Sequence, residues 1–211
     1  MYLSRVEIDR SNREVMRKLN HVGAYHAWVE QAFPDELARG ERTRKLWRVD
    51  RLGNKSYLLL LSETRPKKEE LEYYGVAGSY ASKSYDLLLD SIQKGTNYQF
   101  RIALNPVHSV PEDGCKRGKV YPLYAEEDQL RFLYDRCQKH GFCIVENKCT
   151  IVEKRQERLR KKQGQGASLV KVVYEGLLVV EDVRRFRELL MKGMGREKAY
   201  GFGMMTVIRA N

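Results

Sequence analysis

Two stretches of the chain repeat one order of hydrophobic patterns, and that order limits the fold more than any single motif does. In residues 2–8, Tyr2, Ser4, Val6 and Ile8 alternate with Leu3, Arg5 and Glu7, which suits a strand at or near a sheet edge. A helical stretch follows between Glu14 and Phe33, interrupted near Gly23. Tyr25, Trp28, Val29, Ala32 and Phe33 keep helical spacing until Pro34 stops the run. Residues 45–49 and 56–61 read as strands around a Gly53-Asn54 hairpin turn. Residues 66–71 open a short charged helix, 75–84 form an irregular stretch, and 85–89 supply a fourth strand.

The second stretch begins with the clean alternation Tyr98, Phe100, Ile102, Leu104, ended by Asn105-Pro106. A basic loop lies at 115–119. A helix over 126–140 carries Leu130, Leu133, Tyr134 and Cys137 at periodic positions, with Gly141 as its stop. Residues 142–145 extend briefly, and 149–158 with 169–180 form a long hairpin around Gly164-Gln-Gly166. Asp182 caps a last helix that ends at Gly193, and an apolar strand closes the stretch over 204–208. Both stretches read β-α-β-β-α-β, apart from a split in the middle strands of the second. The repeated order predicts an α+β fold of two tandem ferredoxin-like domains, 1–93 and 94–211, joined near residues 91–95. A single larger α+β domain is the alternative.

Between the last helix and the last strand the chain reads Gly193-Met-Gly-Arg-Glu-Lys-Ala-Tyr-Gly-Phe-Gly203, four glycines in eleven residues. Such a loop lets the backbone take positive φ and can turn successive N–H groups toward an anion. Arg196, Lys198 and Tyr200 add phosphate and base contacts; a plain glycine-rich connection is the alternative. Neither common nucleotide motif is present: Lys198 stands where the dinucleotide fingerprint needs glycine, and no Gly-Lys-Ser/Thr occurs.

The net charge of +11 favours a polyanionic partner. The run 154–162 places six cations in nine residues, with Arg158, Arg160 and Lys162 on one face if it is a strand and Lys161 between them. A basic arm of this kind can track phosphates; a solvated hairpin tip is the alternative. No apolar run is long enough for a spanning helix, so no membrane partner is expected. Cys115, Cys137, Cys143 and Cys149 form no Cys-x-x-Cys pair, which argues against structural zinc and for reduced thiols in a cytoplasmic protein. The four histidines, His21, His26, His108 and His140, make no metal-ligand pair, so no metal and no small-molecule cofactor are expected. His26 lies beside the apolar stripe of the first helix, with Glu30 one turn along. A histidine suits either proton role in RNA cleavage by the adjacent 2′-OH, a reaction that runs without a metal.

The chain resembles the CasE family of CRISPR RNA-processing endoribonucleases, from the type I-E Cascade complex. The likeness runs nearly end to end. It rests on Met-Tyr-Leu-Ser-Arg-Val at the start, Tyr25-His26 followed by Phe33-Pro34, Phe-Arg-Ile-Ala-Leu-Asn-Pro over 100–106, Tyr-Glu-Gly-Leu-Leu over 174–178, and the glycine loop followed by Met204-Met205. The resemblance implies tandem ferredoxin-like domains and a metal-independent cut at the 3′ base of the CRISPR repeat hairpin. The products would be a 2′,3′-cyclic phosphate and a 5′-OH, with the cut RNA retained alongside other Cascade subunits. His26 takes the place of the family's catalytic histidine. Some relatives carry a tyrosine three residues earlier; here that position is Gly23, and the adjacent Tyr25 is the candidate helper. Lys161, Lys162 or Lys198 would stabilise charge, and Gly193, Gly195, Gly201 and Gly203 match the family's glycine-rich loop. Two other readings stay open: a non-catalytic repeat-RNA-binding subunit, and a basic protein-interaction module.

Overall fold

A computed structural model gives the fold and describes residues 1–112, 118–159 and 167–210. The first half runs β1 (Tyr2–Glu7), α1 (Arg13–Lys18), α2 (Val22–Gln31), α3 (Pro34–Arg39), β2 (Leu46–Leu52), β3 (Lys55–Ser62), α4 (Lys68–Glu72), β4 (Ala81–Ser84) and α5 (Asp86–Ser91). The second runs β5 (Asn97–Leu104), β6 (Val107–Val110), β7 (Lys119–Pro122), α6 (Glu126–Cys137), β8 (Phe142–Leu159), β9 (Ala167–Val180), α7 (Val183–Lys192) and β10 (Met205–Arg209). Two four-stranded antiparallel sheets result, ordered β2-β3-β1-β4 and β10-β5-β9-β8. Counted within each half, both orders are 4-1-3-2, the ferredoxin-like arrangement.

Several expectations change in detail. β1 is an inner strand, paired to β3 on one side and β4 on the other. It lies beside the edge strand β4, near the sheet edge as its alternation suggested, and Ser4 Oγ donates to Ser82 Oγ at 2.9 Å, so its polarity is satisfied inside the sheet. Residues 85–89 are not a strand: β4 ends at Ser84, and Asp86 opens α5. Ser84 Oγ accepts the Asp86 N–H at 3.2 Å and the Met1 ammonium meets Asp86 Oδ1 at 2.8 Å, which starts a helix where unbroken leucines had read as extended. Pro34 ends one helix but also occupies the first turn of the next, where its missing N–H costs nothing. The helical break near Gly23 falls at residues 19–21, because His21 caps α2, its Nδ1 accepting the Ala24 N–H at 3.2 Å. β8 pairs with β9 on both sides of the expected split, which is an irregularity between Ile144 and Cys149 with Asn147 at φ 55°; a second register shift lies between Ile151 and Glu153. The basic loop at 115–119 falls largely outside the described residues; Lys119 begins β7.

The two halves interlock. Leu46 and Leu61 of the first sheet pack into the larger core with Phe142, Tyr174 and Phe186, whereas Leu159 of β8 packs among Trp28, Val29 and Phe33. Arg48 of β2 is 1% exposed and joins the sheets. It donates to the carbonyls of Arg101 at 2.9 Å and Met204 at 2.8 Å, to Thr206 Oγ1 at 2.9 Å, and through two N–H groups to Asp50.

Candidate active site

Helix α2 buries Trp28 and Val29, which turns His26 and Glu30 toward a cleft. The His26 side chain is 32% exposed, and its Nδ1 lies 4.0 Å from Glu30 Oε1. That separation is an ion-pair distance, too long for a hydrogen bond. The other Glu30 oxygen lies 3.7 Å from Lys45 Nζ, a buried ammonium that also donates to Glu36 Oε2 at 2.7 Å and sits 4.6 Å above the Phe33 ring. Burial alone would raise the Glu36 carboxyl, but Lys45, Thr43 and Thr64 donate to it and hold it below the usual range. His26 therefore faces a carboxylate whose far side is anchored in the protein.

The opposite wall is the glycine loop. Gly193, Gly195, Gly201 and Gly203 all have φ between 70° and 86°. Close packing explains the glycine requirement at three of the four, two of them against the first half. A Cβ at Gly201 would stand 2.7 Å from the Trp47 ring, one at Gly193 2.9 Å from Leu46, and one at Gly203 2.3 Å from the Met194 carbonyl. Trp47 Nε1–H donates to the Ala199 carbonyl at 3.0 Å. This docking holds the Tyr200 ring edge-on to the His26 imidazole at 5.8 Å. The expected anion-binding concavity is only partly available, because the N–H groups of Gly193, Met194, Tyr200, Gly201 and Gly203 bond within the protein. Arg196 and Lys198 line the cleft beside His26, with Arg44 contributed by the segment before β2. Burial, then Arg44, pushes the Lys198 ammonium down. The cleft volume is about 930 Å³, open enough for a polymer strand.

The structure separates the paired candidates on α2. Tyr25 turns away from the cleft and stacks on Trp47, ring centroids 5.8 Å apart and planes 21° from parallel. It lines a second cavity with His21, and burial raises its phenol. This places Tyr25 on the far side of Trp47 and Tyr200 from the His26 cleft, since neighbouring helical residues point about 100° apart. Arg158 is exposed on β8 opposite Ser168. Arg160, Lys161 and Lys162 lie outside the described residues. Their neighbour Leu159 does reach α2, its Cδ1 3.7 Å from where a Gly23 Cβ would stand. Arg44, Lys45 and Trp47 were missed in the sequence. Their signal was a lysine and an arginine, Lys45 and Arg48, set into an otherwise apolar strand. Among the described residues no three His, Cys, Asp or Glu side chains gather as metal ligands, and no helix is long and apolar enough to cross a membrane.

Comparison with known proteins places this geometry in context. The sequence model of a family described as CRISPR associated protein matches residues 1–209. The chain is 25% identical over 218 residues to the CRISPR-associated endoribonuclease Cse3 of Thermus thermophilus, covering 98% of this chain and 99% of that one. A structure of Cse3 bound to 19-nucleotide RNA superposes with a TM-score of 0.83 at 23% identity, covering 99% and 100% of the two chains. A chain of a CRISPR RNA-guided surveillance complex superposes with a TM-score of 0.69 at 20% identity over the whole of both chains.

Proposed function

The chain belongs to the CRISPR-associated protein family, and from that premise we propose that it is an endoribonuclease that cuts precursor CRISPR RNA at the 3′ base of the repeat hairpin. The observation that carries the proposal is a half-exposed imidazole on α2, edge-on to Tyr200 and flanked by Arg196 and Lys198 in a cleft that a strand can enter. The Thermus relative is named an endoribonuclease, and one superposed structure holds RNA.

In this reading the 2′-OH before the cut attacks the adjacent phosphorus, and the P–O5′ bond breaks. The products are a 2′,3′-cyclic phosphate and a free 5′-OH, so one proton leaves the 2′ oxygen and one arrives at the 5′ oxygen. His26 carries one of those transfers. Lys198 and Arg196, with Lys161 or Lys162 from the basic arm, face the charge that develops on the phosphoryl oxygens. No step needs a metal. Glu30 sets the imidazole's orientation through Nδ1, and Tyr25, held on Trp47, acts on the helix rather than on the phosphate. Arg158, Arg160, Lys161 and Lys162 track the hairpin's phosphates, Tyr200 meets a base, and the product stays bound in a Cascade-type assembly in the cytoplasm. The likeness to a chain of a surveillance complex supports the assembly in this reading.

His26→Ala should keep repeat-RNA binding while single-turnover cleavage in EDTA falls by roughly 10²–10⁴-fold, the usual worth of a proton-transfer group. Full cleavage by the variant would refute the assignment. Activity lost in EDTA and restored by magnesium would show a metal nuclease. Uncut RNA after long incubation with the unaltered chain would leave a binding subunit only.

A further inference from the structure

The second cavity, on the other side of Trp47 from His26, carries no proton transfer in the reaction above and shares only the Tyr200 ring with it. It measures about 230 Å³ and lies where α1, α2, β2 and the β8–β9 hairpin meet. Its floor holds Lys171 of β9, a residue 4% exposed. Among the described residues the Lys171 ammonium makes no hydrogen bond and no ion pair within 4.0 Å. Arg10 and Arg155 enter from either side: Arg10 donates to Ser56 Oγ at 3.0 Å, and Arg155 meets Glu157 at 2.6 Å and Glu153 at 3.1 Å. Glu157 is the one carboxylate on the described lining, against three cations. Tyr25 and Tyr200 complete the wall, with Trp47 behind them.

An ammonium on a side chain this buried, with no hydrogen-bonded partner among the described residues, gains from an anion that reaches it through the cavity. A buried cation, two further cations and phenol rings in one small cavity are the groups that hold a phosphate with an aromatic base attached. The volume lies under the usual lower bound for small-molecule pockets, roughly 300 Å³, so a single nucleotide would sit partly in the cavity's open mouth and a duplex is excluded. We propose that this cavity binds a single nucleotide, its phosphate on Lys171, Arg10 and Arg155 and its base against Tyr25 and Tyr200. The burial that lowers the Lys171 pKa to about 8 marks the same unmet need for an anion. The nucleotide comes either from an unpaired position of bound RNA, which rests on the function proposed above, or from solution, which does not.

The test titrates adenosine 5′-monophosphate, inorganic phosphate and adenosine into the full chain carrying ¹³C-labelled lysine side chains, read by NMR. Adenosine monophosphate should move the Lys171 signal saturably, inorganic phosphate should bind at least tenfold more weakly, and adenosine should leave the signal in place. Lys171→Met, with an intact circular dichroism spectrum, should weaken adenosine monophosphate at least tenfold by calorimetry. Arg155→Gln should weaken it severalfold and serves if the first variant fails to fold. No shift at millimolar adenosine monophosphate, or equal affinity in both variants and the unaltered chain, overturns the site. A repeat hairpin blocked by a 2′-deoxy nucleotide at the cut then identifies the source. If the RNA moves Lys171 and excludes adenosine monophosphate, the strand supplies the nucleotide; if both bind together, the site takes a free one. RNA that fails to bind sinks the RNA reading and leaves the mononucleotide result standing.

Discussion

Lys171 shows how a single side chain can set the pH response of the whole protein. Burial first, and Arg155 second, push its pKa from 10.5 to about 8, against the pull of Glu153, Glu157 and Asp50. Between those values the unfolded chain keeps a proton that the folded chain has released, so stability rises with pH across that window. The size of the effect is on the order of 3 kcal/mol. Lys171→Met removes it. The variant's stability advantage, measured in denaturant, should be largest at neutral pH and shrink through the alkaline range; an advantage that stays constant with pH would contradict the assignment. At this scale the sequence was readable where periodicity decides and unreadable where partners do. His26 was placed beside the apolar stripe, and it is. Tyr25 was paired with it by adjacency, but the Trp47 ring that captures Tyr25 comes from a strand two elements later. The lysines at 45 and 171 fall in predicted strands and were given no role, and only tertiary packing shows them buried.

Among the elements, the glycine loop carries the clearest consequence. Gly195 and Gly201 share the same backbone region, with φ of 82° and 86°. A Cβ at Gly195 meets only an ordinary contact, Leu104 at 3.6 Å, whereas one at Gly201 runs into Trp47. Gly195→Ala should cost about 1 kcal/mol from backbone strain alone. Gly201→Ala should cost roughly 3 kcal/mol, because Trp47 is fixed by its bond to Ala199 and must move. Equal losses in thermal unfolding would mean the loop is not seated on that ring. The sequence marked this loop as shaped, since a buried strand follows it directly. Positive φ and close approach were both legible in the glycines, but the sequence could not say which neighbour comes close, because an anion concavity and a close-packed wall demand the same residue. The fourth strand was misplaced for a related reason. Ala81–Ser84 carries no apolar alternation, being polar and short, while the leucines after it supply the apolar run and form a helix.

At the level of the molecule, the two sheets are joined by a buried charge as well as by apolar contact. Burial works against the Asp50 carboxyl, but Arg48, Arg101 and Lys171 hold it below the usual range. Arg48→Ala would leave Asp50 without its main partner and take a donor from two carbonyls of the second half, those of Arg101 and Met204. The loss should be about 3–5 kcal/mol, the cost of breaking a buried pair, and hydrogen exchange should rise in β2 and β10 together. A small loss, or exchange confined to β2, would show that the sheets hold together without it. The repeated strand order was legible because each half has its own alternation. The interlock was not, since nothing local shows that Leu159, sixty residues and more past the first sheet, closes the core around Trp28.

That borrowed leucine governs what a ribosome can finish early. A nascent chain holding only the leading sheet lacks the side chain that packs over α2 in the finished core. Maturation of the leading portion therefore waits on synthesis of the long trailing hairpin, and chaperones meet an open intermediate for as long as translation takes to deliver it.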